Sequence, residues 1–279
     1  MKGSNKKKFE LTVQRDRSLN VGPSADRGLI VQLQHFSLHD GDGIRSTIFM
    51  AGCPLHCRWC ANPESWELSP LHDSATGKPL RSWMTLDEIV SEIRRQSVFY
   101  RYSGGGVTYS GGEPTVQQAF LRKMTETFSA MGIDQAIETC GFFEWQDVED
   151  ILRQMDTIFV DIKTMDPEQH RQLTGCGNEQ ILNNIKRMGV LNKQLIIRIP
   201  LIPGVNDSAE NLKATADFVR SETPGAQVEI LPYHPLGLEK YDRLGLKEQK
   251  YTYRVPEPAE INRVHTTLRE YGVSLISFK

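Results

Sequence analysis

From Gly28 to the end of this 279-residue chain, short apolar runs alternate with longer amphipathic ones. That rhythm constrains the fold more than any other feature, because it predicts βα units laid into a largely parallel sheet. Strands are expected at 29–34, 46–51, 107–110, 135–138, 157–161, 194–199, 227–231 and 273–278, with helices between them. The clearest helix begins after Thr85, whose hydroxyl can cap it while Glu88 reaches back, and Leu86, Ile89, Val90 and Ile93 share its apolar face. Another begins at Pro167, where proline fits the first turn and Asp166 accepts free backbone N–H groups. About six such units are too few to close an eight-unit barrel. The predicted fold is therefore α/β, an open, partial (β/α)6 parallel barrel forming one domain over 28–279. Sheets of this kind hold ligands at the carboxyl ends of their strands, and the unusual residues of this chain recur there.

A formal net charge of −2 leaves no basic field to hold nucleic acid or an anionic membrane. No apolar run is long enough to span a bilayer, and the N-terminus has no secretory signal, so a cytoplasmic, monomeric protein is expected. Residues 1–27 are polar and basic, with Gly22, Pro23 and Ser24 near their end, and are expected to form a flexible tail.

Three of the five cysteines fall within eight residues, Cys53-Pro54-Leu55-His56-Cys57-Arg58-Trp59-Cys60, in a loop just after a predicted strand. An odd number of cysteines, clustered in this way, points to metal rather than disulfides. A four-iron cube is normally held by four cysteines, so three ligands leave one iron open for substrate. The competing reading is a structural zinc site completed by His56 or a distant histidine, which would make the chain a binding module without chemistry. Zinc sites usually show a second CxxC pair across a gap, and this chain has none.

The CxxxCxxC spacing, with aromatic Trp59 before the last cysteine, resembles the radical S-adenosylmethionine superfamily. The resemblance narrows to glycyl radical enzyme activating enzymes of the pyruvate formate-lyase activase type and runs from Gly28 to Phe278. It implies a 4Fe-4S cluster on Cys53, Cys57 and Cys60 that reductively cleaves S-adenosylmethionine. The resulting 5'-deoxyadenosyl radical takes a hydrogen from a glycine of a partner enzyme. Further pieces match the family's cofactor contacts. Gly112, in Ser110-Gly111-Gly112-Glu113-Pro114, would meet the methionine amino group, Ala61 and Asn62 would border the adenine, and Trp59 and Cys60 would also contact the cofactor. Glu138, Thr139, Asp161, Ile162 and Lys163 would surround the carboxylate and ribose, with Glu138, Thr139 and Asp161 lining a monovalent cation site. Arg198 and His234 would complete the contacts. Read without the resemblance, Asp161 and Lys163 are simply an ion pair.

His39-Asp40-Gly41-Asp42-Gly43-Ile44-Arg45 looks like the family's DGPGIR segment, with Asp42 in place of proline, and is expected to enter the cavity near the partner's glycine. Many relatives carry a ferredoxin-like insert with further cysteines soon after the last cluster cysteine. Residues 61–84 hold none, which implies a single cluster and an external electron donor such as flavodoxin or ferredoxin. Cys140 and Cys176 read as buried structural residues. An enzyme of the same superfamily acting on a small molecule is the alternative function.

Overall fold

The computed structural model describes residues 23–73 and 76–278, so the expected tail falls, for residues 1–22, outside the described part. Residues 24–27 already belong to the body: Ser24 bridges Arg27, and the Asp26 carbonyl accepts the Leu86 N–H.

Six strands form the parallel sheet. They are β2 (Arg45–Met50), β5 (Gly106–Gly111), β6 (Asp134–Thr139), β7 (Thr157–Asp161), β8 (Gln194–Leu201) and β9 (Gln227–Pro232), paired in that order. These are the six expected units. The first predicted strand departs from expectation, because β1 (Arg27–Ser37) runs antiparallel to β2. A short connection joins them, and only antiparallel neighbours can be linked without a crossover. β4 (Pro79–Thr85) pairs antiparallel with β1, and β3 (Leu71–His72) with β4, adding an edge that the apolar pattern did not announce. The expected strand at 273–278 is reduced to one bridge, Leu275 beside Val228. Only Ser274 O and Ile276 N bond the β9 backbone, and Phe278 N turns instead to the Glu229 carboxylate.

Both predicted helix starts are present. Thr85 and Glu88 form the capping box of α1 (Leu86–Arg95), and Asp166 accepts Gln169 N at 2.6 Å to start α5 (Pro167–Thr174). Strand alternation sorts the core into two layers. Ile158, Val160 and Ile197 face the helices, while Ala136, Phe159 and Ile196 face inward, where Ile276 and Phe278 pack against them.

The sheet is open, since β3 and β9 are its edges, and it is strongly curled. Five strand spacings separate β2 from β9, about 24 Å if laid flat. Yet His39, just before β2, hydrogen-bonds the Phe278 carbonyl at 2.6 Å, and Phe278 N reaches Glu229 of β9 at 3.2 Å. The C-terminal segment thus spans the gap at the amino ends of the strands, leaving the carboxyl ends to form the site. No helix among the described residues is long and apolar enough to cross a membrane.

Candidate functional site

The loop after β2 is held by its backbone on three sides. Gly52 N donates to Ser65 O at 2.7 Å and Cys53 N to Trp66 O at 2.9 Å. Gly52 O accepts Glu113 N at 2.7 Å, and His56 N and Arg58 N donate to Thr174 O and Leu173 O at the end of α5. A turn between Cys57 O and Cys60 N, 3.0 Å, brings the last two cysteines round. Cys53, Cys57 and Cys60 all line one cavity of about 300 Å³ over the carboxyl ends of the strands. Burial pushes the Cys57 thiol up to about 12 and the Cys60 thiol up to about 11. The free thiols are therefore neutral near pH 7, and metal binding must displace their protons.

Across from this loop, β5 ends in Gly111-Gly112. Gly111 has φ +112°, a conformation open to glycine, and a Cβ on Gly112 would stand 2.3 Å from Gly52 O and 2.9 Å from Ser65 O. The two glycines let β5 approach the cysteine loop, and Gly112 N donates to Met50 O at 2.9 Å. The next residue, Glu113, is fully buried. Its carboxylate accepts Thr115 N and Oγ1, Thr139 Oγ1 at 2.9 Å and Cys140 N at 2.7 Å, tying the end of β5 to that of β6. Sequence reasoning passed over this role because a buried carboxylate satisfied by hydroxyls and amides has no linear signature.

Charges of both signs line the cavity floor. Lys163 Nζ lies 2.6 Å from Asp161, and both side chains reach the cavity. Burial works against the Lys163 charge, but Asp161 and the nearby Cys57 outweigh it and raise its pKa. Arg198 donates to Glu138, to Glu229 at 2.8 Å and to His39 O at 3.1 Å, and its guanidinium sits 3.9 Å over the Phe159 ring. Three of its five donors are used, so two remain for a ligand. Burial pushes the Glu138 carboxyl above its ordinary range, and Arg198 pulls it back. Ammonium and guanidinium beside carboxylates suit a zwitterionic ligand.

Of the sequence-predicted residues, Trp59, Ala61, Asn62, Gly112, Glu138, Thr139, Asp161, Lys163, Arg198 and His234 line this cavity together with the three cysteines. Ile162 does not. It lies in the apolar core behind β7, its N–H bonded to Arg198 O at 2.9 Å, because strand alternation points it away from its neighbours. The groups expected to hold a monovalent cation also meet protein partners: Ser110 and Arg198 at Glu138, Glu113 at Thr139, and Lys163 at one oxygen of Asp161. The Asp40 loop does not line the cavity and meets the barrel from the amino ends of the strands, through His39 O. Asp40 accepts Ser37 Oγ and Thr47 Oγ1, both at 2.5 Å, and Arg45 is buried against Asp134 at 2.8 Å. Trp66 and Tyr233, missed in the sequence, also line the cavity.

The donor set fits a cluster and its cofactor: three cysteines of one loop rim a cavity whose wall also carries an ammonium, a guanidinium and two carboxylates. Two buried donors in the wall, Trp66 Nε1 and Tyr233 Oη, have no hydrogen-bond partner, which is costly unless a polar group fills the cavity.

The family description of the Radical SAM superfamily matches residues 47–219. The chain is 34% identical over 272 residues to the (2S)-3-sulfopropanediol dehydratase activating enzyme of Klebsiella oxytoca, covering 78% of this chain and 86% of that protein. It is 35% identical over 279 residues to the 4-hydroxyphenylacetate decarboxylase activating enzyme of Clostridioides difficile (strain CD196), covering 81% and 87%. Each alignment is longer than the stretch of this chain it covers, so these relatives carry extra residues within the matched region. Among solved structures, a domain of pyruvate-formate lyase-activating enzyme from Bacteroides vulgatus superposes with a TM-score of 0.53. It shares 30% identity and covers 62% of this chain and 98% of that one.

Proposed function

Because the chain belongs to the radical SAM superfamily, we propose that it is an activating enzyme that installs a glycyl radical on a partner enzyme. The observation that carries this reading is the cavity itself, where Cys53, Cys57 and Cys60 face Gly112, Lys163, Arg198 and His234 across one space. When bound, a 4Fe-4S cluster and S-adenosylmethionine supply reductive cleavage to a 5'-deoxyadenosyl radical, which takes a hydrogen from a glycine Cα of the partner.

The chain's own residues bind, orient and shield. Cys53, Cys57 and Cys60 hold the cluster, and the fixed backbone of their loop sets its position. Gly112 lets the end of β5 lie against the cysteine loop, where a side chain would strike Gly52 O and Ser65 O, and its backbone would meet the ligand's amino group. Asp161 compensates Lys163, and Glu138 with Glu229 orients Arg198, leaving two guanidinium donors for a carboxylate. Trp59 and Tyr253, 6.2 Å apart between ring centroids, and Tyr233 beside them form an aromatic wall where an adenine can lie. No side chain is required as a general base.

Within these 279 residues only Cys140 and Cys176 lie outside the motif, too few for a second cluster. The electron therefore comes from another protein, such as flavodoxin or ferredoxin. The protein works as a monomer in the cytoplasm, as one domain that has already begun at Ser24.

The test is anaerobic purification, an iron and sulfide count, and an assay of 5'-deoxyadenosine after reduction with S-adenosylmethionine. About four irons per chain, reductant-dependent deoxyadenosine and a glycyl radical signal on an added partner are expected. Zinc in place of iron, or iron without cleavage, would end this reading.

A further inference from the structure

The chain that leaves the cysteine loop is clamped by a short helix, Leu238–Arg243. Tyr241 donates its hydroxyl to the Cys60 carbonyl at 3.0 Å. Gly237, just ahead of the helix, packs so closely that a Cβ on it would stand 2.7 Å from the Ala61 Cα. Lys240 Nζ donates to Asn62 Oδ1 at 2.9 Å and to Glu64 Oε1 at 2.6 Å. The backbone of Asn62 is fixed as well, because its carbonyl accepts Ser65 N at 2.9 Å and Ser65 Oγ at 2.7 Å.

An ammonium can only donate hydrogen bonds. Its contact with Oδ1 therefore settles which way round the Asn62 amide lies, with the oxygen towards Lys240 and the NH2 away from it. Among the described residues no acceptor meets that NH2. Asn62 lines the cavity beside Trp59 and Ala61, in the wall where an adenine can lie. Adenine ring nitrogens are acceptors, so a fixed amide donor suits them, whereas an amide free to turn would present its oxygen as readily.

Resting on the cofactor reading above, we propose that Lys240 is a positioning residue for S-adenosylmethionine, locking the Asn62 amide so that its NH2 donates to an adenine ring nitrogen. Lys240 does not itself line the cavity and acts through Asn62.

The experiment measures S-adenosylmethionine binding by calorimetry to wild-type protein, Lys240→Met, Asn62→Ala and the double variant, purified without oxygen and each holding about four irons. Each single variant is expected to bind about fivefold more weakly, the worth of one neutral hydrogen bond or one immobilised side chain. The double variant should also lose only about fivefold, because Lys240 has nothing to orient once the amide is gone. In deoxyadenosine formation, Lys240→Met should raise the KM for S-adenosylmethionine and leave kcat unchanged. Undiminished affinity in Lys240→Met, or losses that multiply to about twenty-fivefold in the double variant, would overturn the proposal and leave the activase reading standing. If Asn62→Ala does not retain iron, the kinetics of Lys240→Met decide: a raised KM with unchanged kcat supports the proposal, and a lowered kcat at unchanged KM overturns it. Wild-type protein that binds S-adenosylmethionine but puts no radical on an added partner defeats the activase reading, and the affinities still decide the role of Lys240. Wild-type protein that holds its irons and does not bind S-adenosylmethionine ends both.

Discussion

The Arg198 Nε–H donates to the Glu229 carboxylate across 2.8 Å, from facing positions of the neighbouring parallel strands β8 and β9. Both side chains are buried, 7% and 6% exposed, so removing one leaves the other desolvated without its partner. Arg198 keeps Glu138 and the His39 carbonyl, which limits the damage. Glu229→Ala is expected to lower stability by about 3 kcal/mol, and the isosteric Glu229→Gln by about 1 kcal/mol. Urea unfolding under nitrogen reads both, and a Glu229→Ala midpoint equal to that of the wild type would show that the pair does not hold the barrel together.

Cys57→Ala should separate the metal centre from the fold. The loop is pinned by backbone bonds from Gly52, Cys53, His56 and Arg58, none of which needs the Cys57 side chain. Far-ultraviolet circular dichroism should be unchanged, while iron falls from about four per chain to a small residue and deoxyadenosine formation stops. Cleavage that survives in the variant would mean that the ligands are misassigned.

Gly112→Ala tests the close approach of β5 to the cysteine loop. The new Cβ would meet the backbone oxygens of Gly52 and Ser65, and backbone cannot rotate away as a flexible side chain can. Overpacking of this kind costs about 1–3 kcal/mol, and here the strain falls on the loop that carries the ligands. A lower melting temperature and weaker S-adenosylmethionine binding by calorimetry are expected together. Gly104, with nothing within 4 Å of its Cβ position, is the control, since alanine there meets only the left-handed backbone.

Much of this architecture was legible in the linear chain because it rests on local physics. The capping pairs Thr85–Glu88 and Asp166–Gln169 act within three residues, and the six parallel strands are apolar on their helix-facing side. What escaped was non-local. Glu229 sits between Val228 and Ile230, and only the pairing of β9 with β8 brings it to Arg198. Ile162 was grouped with Asp161 and Lys163 by adjacency, yet alternation turns it into the core. The β3–β4 edge is held by β1, a partner more than forty residues away, and its own short strands carry little apolar signal. Trp66 follows Ser65 in a loop with no periodicity, so its place in the cavity wall became visible only with the chain folded.

His170 links pH to the support of the cysteine loop. Its Nδ1–H donates to Cys176 O at 2.7 Å, near the end of the helix whose Leu173 and Thr174 carbonyls hold Arg58 and His56. Burial depresses its pKa below the ordinary 6.5, with the Cys176 carbonyl pulling it partly back. The folded state therefore favours the neutral ring, whereas the unfolded chain takes up a proton near 6.5. This contribution to stability is complete above pH 6.5 and is lost as pH falls from 6.5 towards the lower folded value. Urea midpoints measured between pH 8 and pH 5 should drop more steeply for the wild type than for His170→Gln below about 6.5. Parallel profiles would show that this ring does not titrate with unfolding.

Tyr233→Phe should change two observables in opposite directions. The Tyr233 hydroxyl is buried in the cavity wall without a hydrogen-bond partner, a situation that costs about 1–3 kcal/mol until something polar meets it. Phenylalanine removes the hydroxyl and keeps the ring against Tyr253, 5.8 Å away between centroids. The ligand-free variant should therefore be more stable than the wild type, by about 1 kcal/mol. If the hydroxyl bonds the cofactor, S-adenosylmethionine should bind the variant more weakly, by roughly fivefold to tenfold, with the iron content unchanged. Calorimetric titration and thermal unfolding of the same preparations distinguish the cases. Greater stability with undiminished affinity would make the hydroxyl a bystander in the wall, whereas lower stability would mean that a water molecule already satisfies it.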